Sequence, residues 1–231
     1  MRARGVVFDL DGTMVDNMGL HTQAFTEFMA RHGLPPLDEA QRARLDGKRN
    51  TDIFPDLFGR DLPREELLAL ADEKEGLYRA LSRGRLVPMP GLELLLTLLA
   101  AEGIPVAVAT SGPADNVRHT LAETGLAGRI QVVVRGDQVE RGKPHPDIFL
   151  AAAARIGVPP DECLAFEDSP SGVAAARAAG MLCVALTTSF SEAAFRAAGA
   201  APDHVVPDFD AFLSGPMRRL LAVRGLSEVA P

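Results

Sequence analysis

Two aspartates, Asp9 and Asp11, stand one residue apart where the apolar run Gly5-Val6-Val7-Phe8 ends. The run predicts a buried β-strand, and residues i and i+2 of a strand face the same side, so both carboxylates point into one small volume. Like charges that close are costly unless they share a cation or a proton. Gly12 then lets the chain turn away without crowding this volume. The pattern indicates a divalent metal between acids, with one carboxylate free to attack a phosphoryl group, although an Asp-rich turn would give the same residues.

The composition narrows the classes of partner. The chain has 231 residues and a net charge of -7, which suits one α/β core with a smaller second unit and argues against a nucleic-acid partner. The first apolar run is too short for a signal peptide, and no apolar stretch reaches membrane-spanning length. We therefore expect a cytoplasmic monomer without a membrane partner. Cys163 and Cys183 fall in predicted buried strands and are expected to be inert core thiols.

The pattern of predicted elements changes along the chain. From residue 16 to about residue 81, apolar residues recur at helical spacing without a convincing strand pattern. Residues 83–91 carry two Gly and two Pro, which indicates a linker. Beyond it, helices such as Leu92 to Ala101 and Asp147 to Ile156 alternate with short apolar strands. The predicted strands after the first are Val106–Ala109, Gln131–Val134, Cys163–Phe166 and Leu182–Ala185. Such alternation predicts an α/β fold with a doubly wound parallel sheet.

The helical block interrupts this α/β unit directly after its first strand. We therefore predict an α/β core of residues 1–15 and 88–231 and an inserted α-helical cap domain of residues 16–87. An insertion at this point lies over the carboxyl ends of the strands, where open α/β sheets bind ligands. The predicted ligand site thus lies between cap and core.

Further polar groups follow other predicted strands at the same edge of the sheet. Thr110 and Ser111 precede a helix, whose free amide groups favour an anion. Lys143 stands between Gly and Pro, and Glu167 and Asp168 supply the oxygen ligands that Mg²⁺ prefers. Each group has a plainer explanation, as a helix cap or as a solvated surface charge. Their common position at strand ends favours a shared site.

Together with Asp9 and Asp11, these residues resemble the four motifs of the haloacid dehalogenase superfamily, in the branch whose helical cap follows the first strand. The resemblance covers essentially the whole chain and implies a Rossmann-like core that uses Mg²⁺. It implies that Asp9 is the nucleophile and becomes an aspartyl phosphate. Asp11 would protonate the leaving oxygen and later activate water. Dehalogenases of the family typically lack the second aspartate, so Asp11 favours a phosphate ester as substrate.

The resemblance also implies the remaining roles at the site. Thr110 and the backbone around Leu10 and Ser111 would bind the phosphoryl oxygens. Lys143 would neutralise charge on the nucleophile and the phosphate. Four acids would contribute to the magnesium site, namely Asp9, Asp11 through its main-chain carbonyl, Glu167 and Asp168.

One cap segment, around Leu45-Asp46-Gly47-Lys48-Arg49, resembles the substrate loop of the β-phosphoglucomutase-like and phosphoglycolate-phosphatase-like branch. A local basic cluster surrounds it, formed by Arg42, Arg44, Lys48 and Arg49. The resemblance implies substrate contacts from Lys48, Arg49, Asn50, His21 and Lys74. The alternative is that these side chains are solvated charges and polar groups on cap helices. Asn50 stands where the mutase has arginine, three residues after the loop glycine, which lowers the expectation of mutase activity.

The sequence thus predicts a magnesium-dependent phosphatase that hydrolyses a small phosphorylated metabolite, a sugar or polyol phosphate, through an aspartyl phosphate. One alternative is a sugar phosphate mutase similar to β-phosphoglucomutase. Another is a non-catalytic metabolite-binding protein, which would have had no need to keep Asp9, Asp11 and Lys143. The leaving group is left open at this point.

Overall fold

The computed structural model describes residues 2–38, 41, 45 and 47–221, and within them it has one parallel sheet of six strands. The strands are β1 (Gly5–Phe8), β2 (Val106–Thr110), β3 (Val133–Arg135), β4 (Cys163–Glu167), β5 (Leu182–Leu186) and β6 (His204–Val206). Their order in the sheet is β3-β2-β1-β4-β5-β6. The predicted doubly wound α/β class is confirmed. The prediction missed β6, because its three residues are too short a run to give an alternation signal.

The α-helices of the described residues are α1 (Met18–Arg31), α2 (Asn50–Phe58), α3 (Arg64–Ser82), α4 (Leu92–Ala101), α5 (Ala114–Glu123), α6 (Asp147–Ile156), α7 (Pro170–Ala178), α8 (Glu192–Ala197), α9 (Phe209–Ser214) and α10 (Met217–Leu220). Helices α1 to α3 occupy the stretch where helical spacing was predicted. They pack around an apolar cluster of their own that includes Phe28 and Phe54. We call residues 16–87 the cap; its boundaries remain a prediction.

The two faces of the sheet carry side chains of different size, because successive strand residues point to opposite faces. One face presents large residues such as Phe8 and Phe166 to the cluster that contains α4, α5 and α9. The other presents small ones such as Ala107 and Ala165 to α6 and α7. Small side chains let these helices lie close to the sheet, and α6 and α7 flank the loops that carry the polar strand-end groups.

The chain enters and leaves the cap side by side. Val15 forms an isolated antiparallel bridge with Pro88, and the amide of Met89 donates a 2.8 Å hydrogen bond to the carbonyl of Met14. The cap is therefore joined to the sheet by two neighbouring segments at one place, above the end of β1.

Two further expectations concern the cysteines and the membrane. Cys163 and Cys183 are both buried free thiols, as predicted. In the part of the chain that the structure describes, no helix has the length and apolar character needed to cross a membrane. The predicted cytoplasmic location and monomeric state remain predictions.

The C-terminal part of the core gives a stability prediction. Helix α9, which the sequence analysis did not predict, places the Phe212 ring edge-on to Phe166 with centroids 4.8 Å apart. Phe212→Ala should lower the free energy of unfolding by about 3–5 kcal/mol, since it leaves a cavity in the core. Urea unfolding measures this loss. The control Leu94→Ala removes a half-exposed side chain and should cost no more than about 0.5 kcal/mol; equal losses would show that α9 does not anchor the core.

Candidate active site

Polar side chains from three adjacent strands meet at the carboxyl edge of the sheet. Asp9 follows β1 and continues its ladder, since its amide donates a 2.9 Å hydrogen bond to the carbonyl of Phe166. Thr110 ends β2, and Glu167 ends β4. Because β2, β1 and β4 are neighbours in a parallel sheet, their ends lie next to one another. The structure thus brings these sequence-predicted residues together.

The plainer explanations of these residues do not fit the structure. Helix α5 begins after Pro113, so neither Thr110 nor Ser111 is its N-cap. The N-cap of α7 is Ser169, whose side chain accepts from the Gly172 amide, and not Asp168. Lys143 is only 3% exposed and therefore is no solvated surface charge.

Lys143 lies between two buried acids. Its Nζ is 2.5 Å from Asp9 Oδ1 and 2.5 Å from Glu167 Oε1. Burial alone would lower the pKa of Lys143, but Asp9 and Glu167 raise it above its ordinary value. The lysine therefore stays cationic and is placed to neutralise charge on Asp9.

Glu167 lies beneath the site and is fully buried. Its Oε2 accepts hydrogen bonds from the amides of Asp168 and Ser169 at 3.0 and 2.9 Å. Gly172 passes so close that a Cβ there would lie 1.8 Å from Glu167 Oε1. These contacts favour a role in which Glu167 holds Lys143 and the turn after β4. A contribution of Glu167 to a metal site remains a prediction.

Asp168 faces the same cavity as Asp9. It accepts hydrogen bonds from Thr13 Oγ1, at 3.3 Å, and from Ser189 Oγ. Burial raises the pKa of Asp168 well above its ordinary value, and the Glu167 and Asp9 carboxylates add to the shift. Burial also raises the pKa of Asp9 to about 8, with Lys143 opposing the shift and Glu167 adding to it. Both shifts show that Lys143 alone does not compensate for burying these acids side by side in their ionised form.

The donor set at this position fits a magnesium ion. Asp9 and Asp168 both line the cavity, and the raised pKa of each carboxyl group is the mark of buried, neighbouring acids that a further cation would stabilise in their ionised form. Among the described residues, no three His, Cys, Asp or Glu side chains form a ready-made metal site. Mg²⁺ does not need one, since it keeps several waters and is usually held by one or two carboxylates together with substrate phosphate.

Asp11 lies where the cap joins the core. Its Oδ1 accepts a 2.6 Å hydrogen bond from Asn17 Nδ2 and lies 3.6 Å from His21 Nε2. Burial would raise the pKa of Asp11, but His21 and Asn17 together lower it below its ordinary value. Asn17 also donates to the hydroxyl of Tyr78 on α3 and accepts from the amide of Gly12. Asn17 thereby ties the acid-bearing turn to the cap.

His21 presents Nε2 to Asp11 and Nδ1 to the cap. Lys74 Nζ lies 3.1 Å from Nδ1. Nε2 is buried and has no hydrogen-bond partner within the described structure. The ring itself stacks on Tyr78 at 3.7 Å between centroids. A buried ring nitrogen without a partner beside Asp11 is available to a polar group of a bound ligand.

Core and cap together line a partly open cavity of about 90 Å³. Its core side is formed by Asp9, Asp11, Thr110, Ser111, Gly112, Asn116 and Asp168. Its cap side has an apolar part, Met18, Phe25, Leu37, Leu45 and Ile53, and a polar part, His21, Thr22, Gly47, Lys48, Asn50, Lys74 and Glu75. The cavity suits a small ligand whose anionic end faces the core and whose hydroxyl groups face the cap.

Glu75 organises the polar part of the cap wall. Its carboxylate accepts hydrogen bonds from Lys74 Nζ at 2.8 Å, Asn50 Nδ2 at 2.6 Å and Asn116 Nδ2 at 2.5 Å. Burial would raise the pKa of Glu75, but Lys74, His21 and these hydrogen bonds lower it to about 2. Since Asn116 belongs to α5 of the core, Glu75 also links the cap to the core.

Most of the predicted cap residues line the cavity: His21, Lys48, Asn50 and Lys74. Arg49 does not line this cavity, since its guanidinium group is bound to Asp52 and to main-chain carbonyls of the core; it lines a neighbouring cleft between cap and core. A contact between Arg49 and substrate remains a prediction. The side chain of Leu10 is buried in the core, so only its main chain is available to a phosphate. Arg42, Arg44 and Asp46 lie outside the described residues.

The sequence analysis missed several residues of the site. Thr188 and Ser189 follow β5 and bind the Gly12 carbonyl and Asp168. They stand at the carboxyl edge of a strand, so the rule that identified Thr110 applied to them as well. Asn17, Glu75 and Asn116 depend on contacts between cap and core, which no local sequence pattern announces; Glu75 in particular lies in a charged run typical of a solvated helix.

Comparison with known proteins shows similarity over cap and core together. The sequence model of a family described as haloacid dehalogenase-like hydrolase matches residues 3–180. Hexitol phosphatase A of Escherichia coli (strain K12) is 36% identical over 189 residues, which cover 80% of this chain and 84% of that protein. Fructose-1-phosphate phosphatase YqaB of the same strain is 34% identical over 180 residues, covering 78% and 94%. A solved HAD hydrolase, family IA, variant 3, from Entamoeba histolytica HM-1:IMSS has a TM-score of 0.80 at 27% identity, covering 91% and 94%.

The contact between Gly172 and Glu167 predicts that alanine at position 172 destabilises the protein, whereas helix propensity alone predicts that it stabilises. In a helix, Gly→Ala ordinarily stabilises by about 1 kcal/mol. Here Lys143 and two amides hold the Glu167 carboxylate in place, so a Cβ at Gly172 has to displace it. Gly172→Ala should therefore lower the free energy of unfolding by about 1–3 kcal/mol in urea. Gly128→Ala is the control, because a Cβ there meets nothing within 4 Å; a more stable Gly172→Ala variant would contradict the argument.

The buried charge of Glu75 gives a pH prediction. Its pKa is lowered from 4.5 to about 2 in the folded protein, so its charge stabilises the fold above about pH 4.5 and the contribution is lost as the pH falls toward 2. Glu75→Gln should cost on the order of 2–3 kcal/mol at pH 7 and less at pH 3.5, measured by urea unfolding. Glu66→Gln, at an exposed ion pair with Arg60, is the control and should change little at either pH. A cost for Glu75→Gln that does not vary with pH would show that its charge is not what stabilises the fold.

Proposed function

The chain belongs to the haloacid dehalogenase-like hydrolases and is a hydrolase of phosphate monoesters, and on this basis we propose that it is a magnesium-dependent phosphatase of a small sugar or polyol phosphate. The observation that carries the proposal is the position of Asp9, which faces the cavity with Lys143 at 2.5 Å behind it. A carboxylate held beside a buried cation, in a cavity between cap and core, is suited to nucleophilic attack on phosphorus.

The proposed reaction has two displacement steps at phosphorus. In the first, a carboxylate oxygen of Asp9 forms a bond to phosphorus, the ester P–O bond breaks, and Asp11 gives its proton to the leaving oxygen. In the second, Asp11 takes a proton from water, the water oxygen bonds to phosphorus, and the bond to Asp9 breaks to release phosphate. The lowered pKa of Asp11 keeps it ionised and able to accept a proton in the second step, whereas the first step requires that Asp11 be protonated in the substrate complex.

The surrounding residues would stabilise negative charge in both steps. Lys143 balances Asp9 and the phosphoryl oxygens, while Thr110 and the main chain at Ser111 lie at the cavity wall where those oxygens would bind. Mg²⁺, held by Asp9 and Asp168, would supply further charge neutralisation when bound. The cap excludes bulk water from the cavity during transfer.

Three observations support a sugar or polyol monophosphate as the substrate. Relatives include a hexitol phosphatase and a fructose-1-phosphate phosphatase. The cap wall offers Asn50, Lys74 and Glu75, a hydrogen-bonding set suited to hydroxyl groups. Lys48 is a cation at the same wall that forms no ion pair with any described residue, and it suits an electron-rich oxygen of the substrate.

The same wall disfavours the mutase alternative. A sugar bisphosphate intermediate needs a second phosphate site in the cap. Arg49 is engaged with Asp52 and the core, and Asn50 carries no charge, so Lys48 is the one cation of this loop within the described residues that is left for a second phosphate. The non-catalytic alternative is disfavoured because Asp9, Asp11 and Asp168 all line one cavity, with Lys143 bound to Asp9 behind it.

The proposal is tested by phosphate release from a panel of sugar and polyol phosphates, with Mg²⁺ or with EDTA. We expect magnesium-dependent turnover of one or a few members, and a loss of roughly 10³-fold or more in Asp9→Asn because the nucleophile is gone. Asp161→Asn, at the opposite edge of the sheet, is the matched control and should keep wild-type activity.

The alternatives give different results in the same assay. If no member is hydrolysed while one still binds to both wild type and Asp9→Asn, a metabolite-binding role replaces the phosphatase. If isomeric sugar phosphate forms when sugar bisphosphate is added, the mutase replaces it. Absence of any isomer removes the mutase.

A further inference from the structure

We propose that Arg49 and Asp52 form a latch that locks the cap onto the core and thereby limits the leaving group to small, compact alcohols. This inference rests on the proposed phosphatase function and assigns the residues that control which phosphate esters fit. Arg49 is then a positioning residue, which acts through the cap rather than by touching substrate.

The latch is a bidentate ion pair that extends into the core. Arg49 Nε and Nη2 lie 2.7 and 2.9 Å from the carboxylate oxygens of Asp52. The remaining nitrogen, Nη1, donates to the carbonyls of Gly136, Val139 and Glu140 at 3.1, 3.3 and 3.3 Å. A planar guanidinium group can make both sets of contacts at once, which a lysine cannot. One cap side chain therefore holds the core segment 136–140.

The core surface is shaped to receive this pair. A Cβ at Gly136 would lie 3.0 Å from both Cγ and Cδ of Arg49. A Cβ at Gly142 would lie 2.8 Å from Asp52 Oδ2 and 2.9 Å from Arg49 Nε. We call residues 136–142 the receptacle. Since side chains at both glycines would obstruct the pair, the receptacle fits the latch in shape as well as in hydrogen bonding.

A second contact beside the latch joins the cap to the catalytic loops. Ser111 Oγ donates a 2.7 Å hydrogen bond to the carbonyl of Gly47. A Cβ at Gly47 would lie 2.5 Å from Ser169 Oγ, so this turn also lies against the loop after β4. The receptacle leads directly into Lys143. Residues 47–52 thus touch the loops that carry three of the proposed catalytic groups when the latch is closed.

The latch also fixes the size of the cavity. Lys48 and Asn50, the two neighbours of Arg49 in the chain, line the cavity of about 90 Å³, so their positions depend on where Arg49 is held. With the latch closed, this wall is held against the core and leaves the least width for a wide and rigid leaving group. Without the latch, the cap wall can move away from the core. A compact substrate then loses its contacts with that wall.

The selectivity test compares two alkyl phosphates whose leaving oxygens need the same protonation. For Arg49→Ala we expect kcat/KM for fructose 1-phosphate to fall at least tenfold, while kcat/KM for 2-naphthylmethyl phosphate stays within threefold or rises. Asp52→Asn and Gly136→Ala should change the ratio in the same direction, because each weakens the latch from a different side. Arg60→Ala, at an exposed cap ion pair, is the control and should leave both values unchanged.

Equal losses on both substrates would overturn the proposal, since they indicate damage to the catalytic groups or to the fold. Unchanged values on both would overturn it as well. Circular dichroism and urea unfolding show whether each variant is folded. If Arg49→Ala is not folded, the test uses Asp52→Asn instead, because that substitution preserves the shape of the side chain.

A second readout separates failure of the latch from failure of the proposed function. Leu68 of the cap and Leu150 of the core are exposed, and both native cysteines are buried, so Leu68→Cys and Leu150→Cys allow paired fluorophores to be attached. Energy transfer reports the distance between cap and core without any turnover. Arg49→Ala should broaden this distance distribution in the protein without substrate; an unchanged distribution overturns the latch, whatever the enzyme hydrolyses.

Discussion

The arrangement of the core depends on one buried cation between two buried acids. Lys143 bonds Asp9 and Glu167, and none of the three is more than slightly exposed. Two like charges at this depth are tolerated only because the lysine and the amides after β4 compensate for lost hydration. The three groups come from β1, the loop before α6 and β4, so their pairing fixes how these segments meet. The same contact that sustains the fold at this edge holds the nucleophile in place.

Further buried polar contacts, formed by Glu75 and Asn17 of the cap, connect the cap to the core. Glu75 gathers Lys74, Asn50 and Asn116, while Asn17 connects Asp11 to Tyr78. The contacts of Glu75 and those of Asn17 each join at least one group of the cap to one of the core. A change in the position of the cap is therefore felt as a change in hydrogen bonding at the acids, and the proposed latch adds a third connection of the same kind.

The sequence predicted the elements that follow a regular pattern along the chain. It did not predict the contacts between residues that are far apart in sequence. Alternating helices and apolar strands predicted the sheet and placed Asp9, Thr110 and Glu167 at strand ends, because parallel strands share one edge. The three-residue strand β6 gave no pattern, and α9 went unpredicted with it. The resemblance of the cap segment to a substrate loop implied a substrate contact for Arg49, yet neither that resemblance nor the local charge says whether a guanidinium group faces a ligand or a row of carbonyls. Glu75 was missed because it lies in a charged helical run, which is typical of a solvated surface. Its burial depends on partners that are distant in sequence, Asn50 and Asn116.

The way the cap joins the sheet has a consequence for the history of such chains. Met14 and Met89 are hydrogen-bonded to each other, so the inserted segment between them begins and ends at the same place in the structure. An insertion with coincident ends can be lengthened, shortened or replaced without shifting any strand of the sheet. The residues at the strand ends and the residues of the insertion can therefore change independently in evolution. A descendant of such a chain can bind new substrates through a changed insertion while the strand ends continue to perform the same reaction.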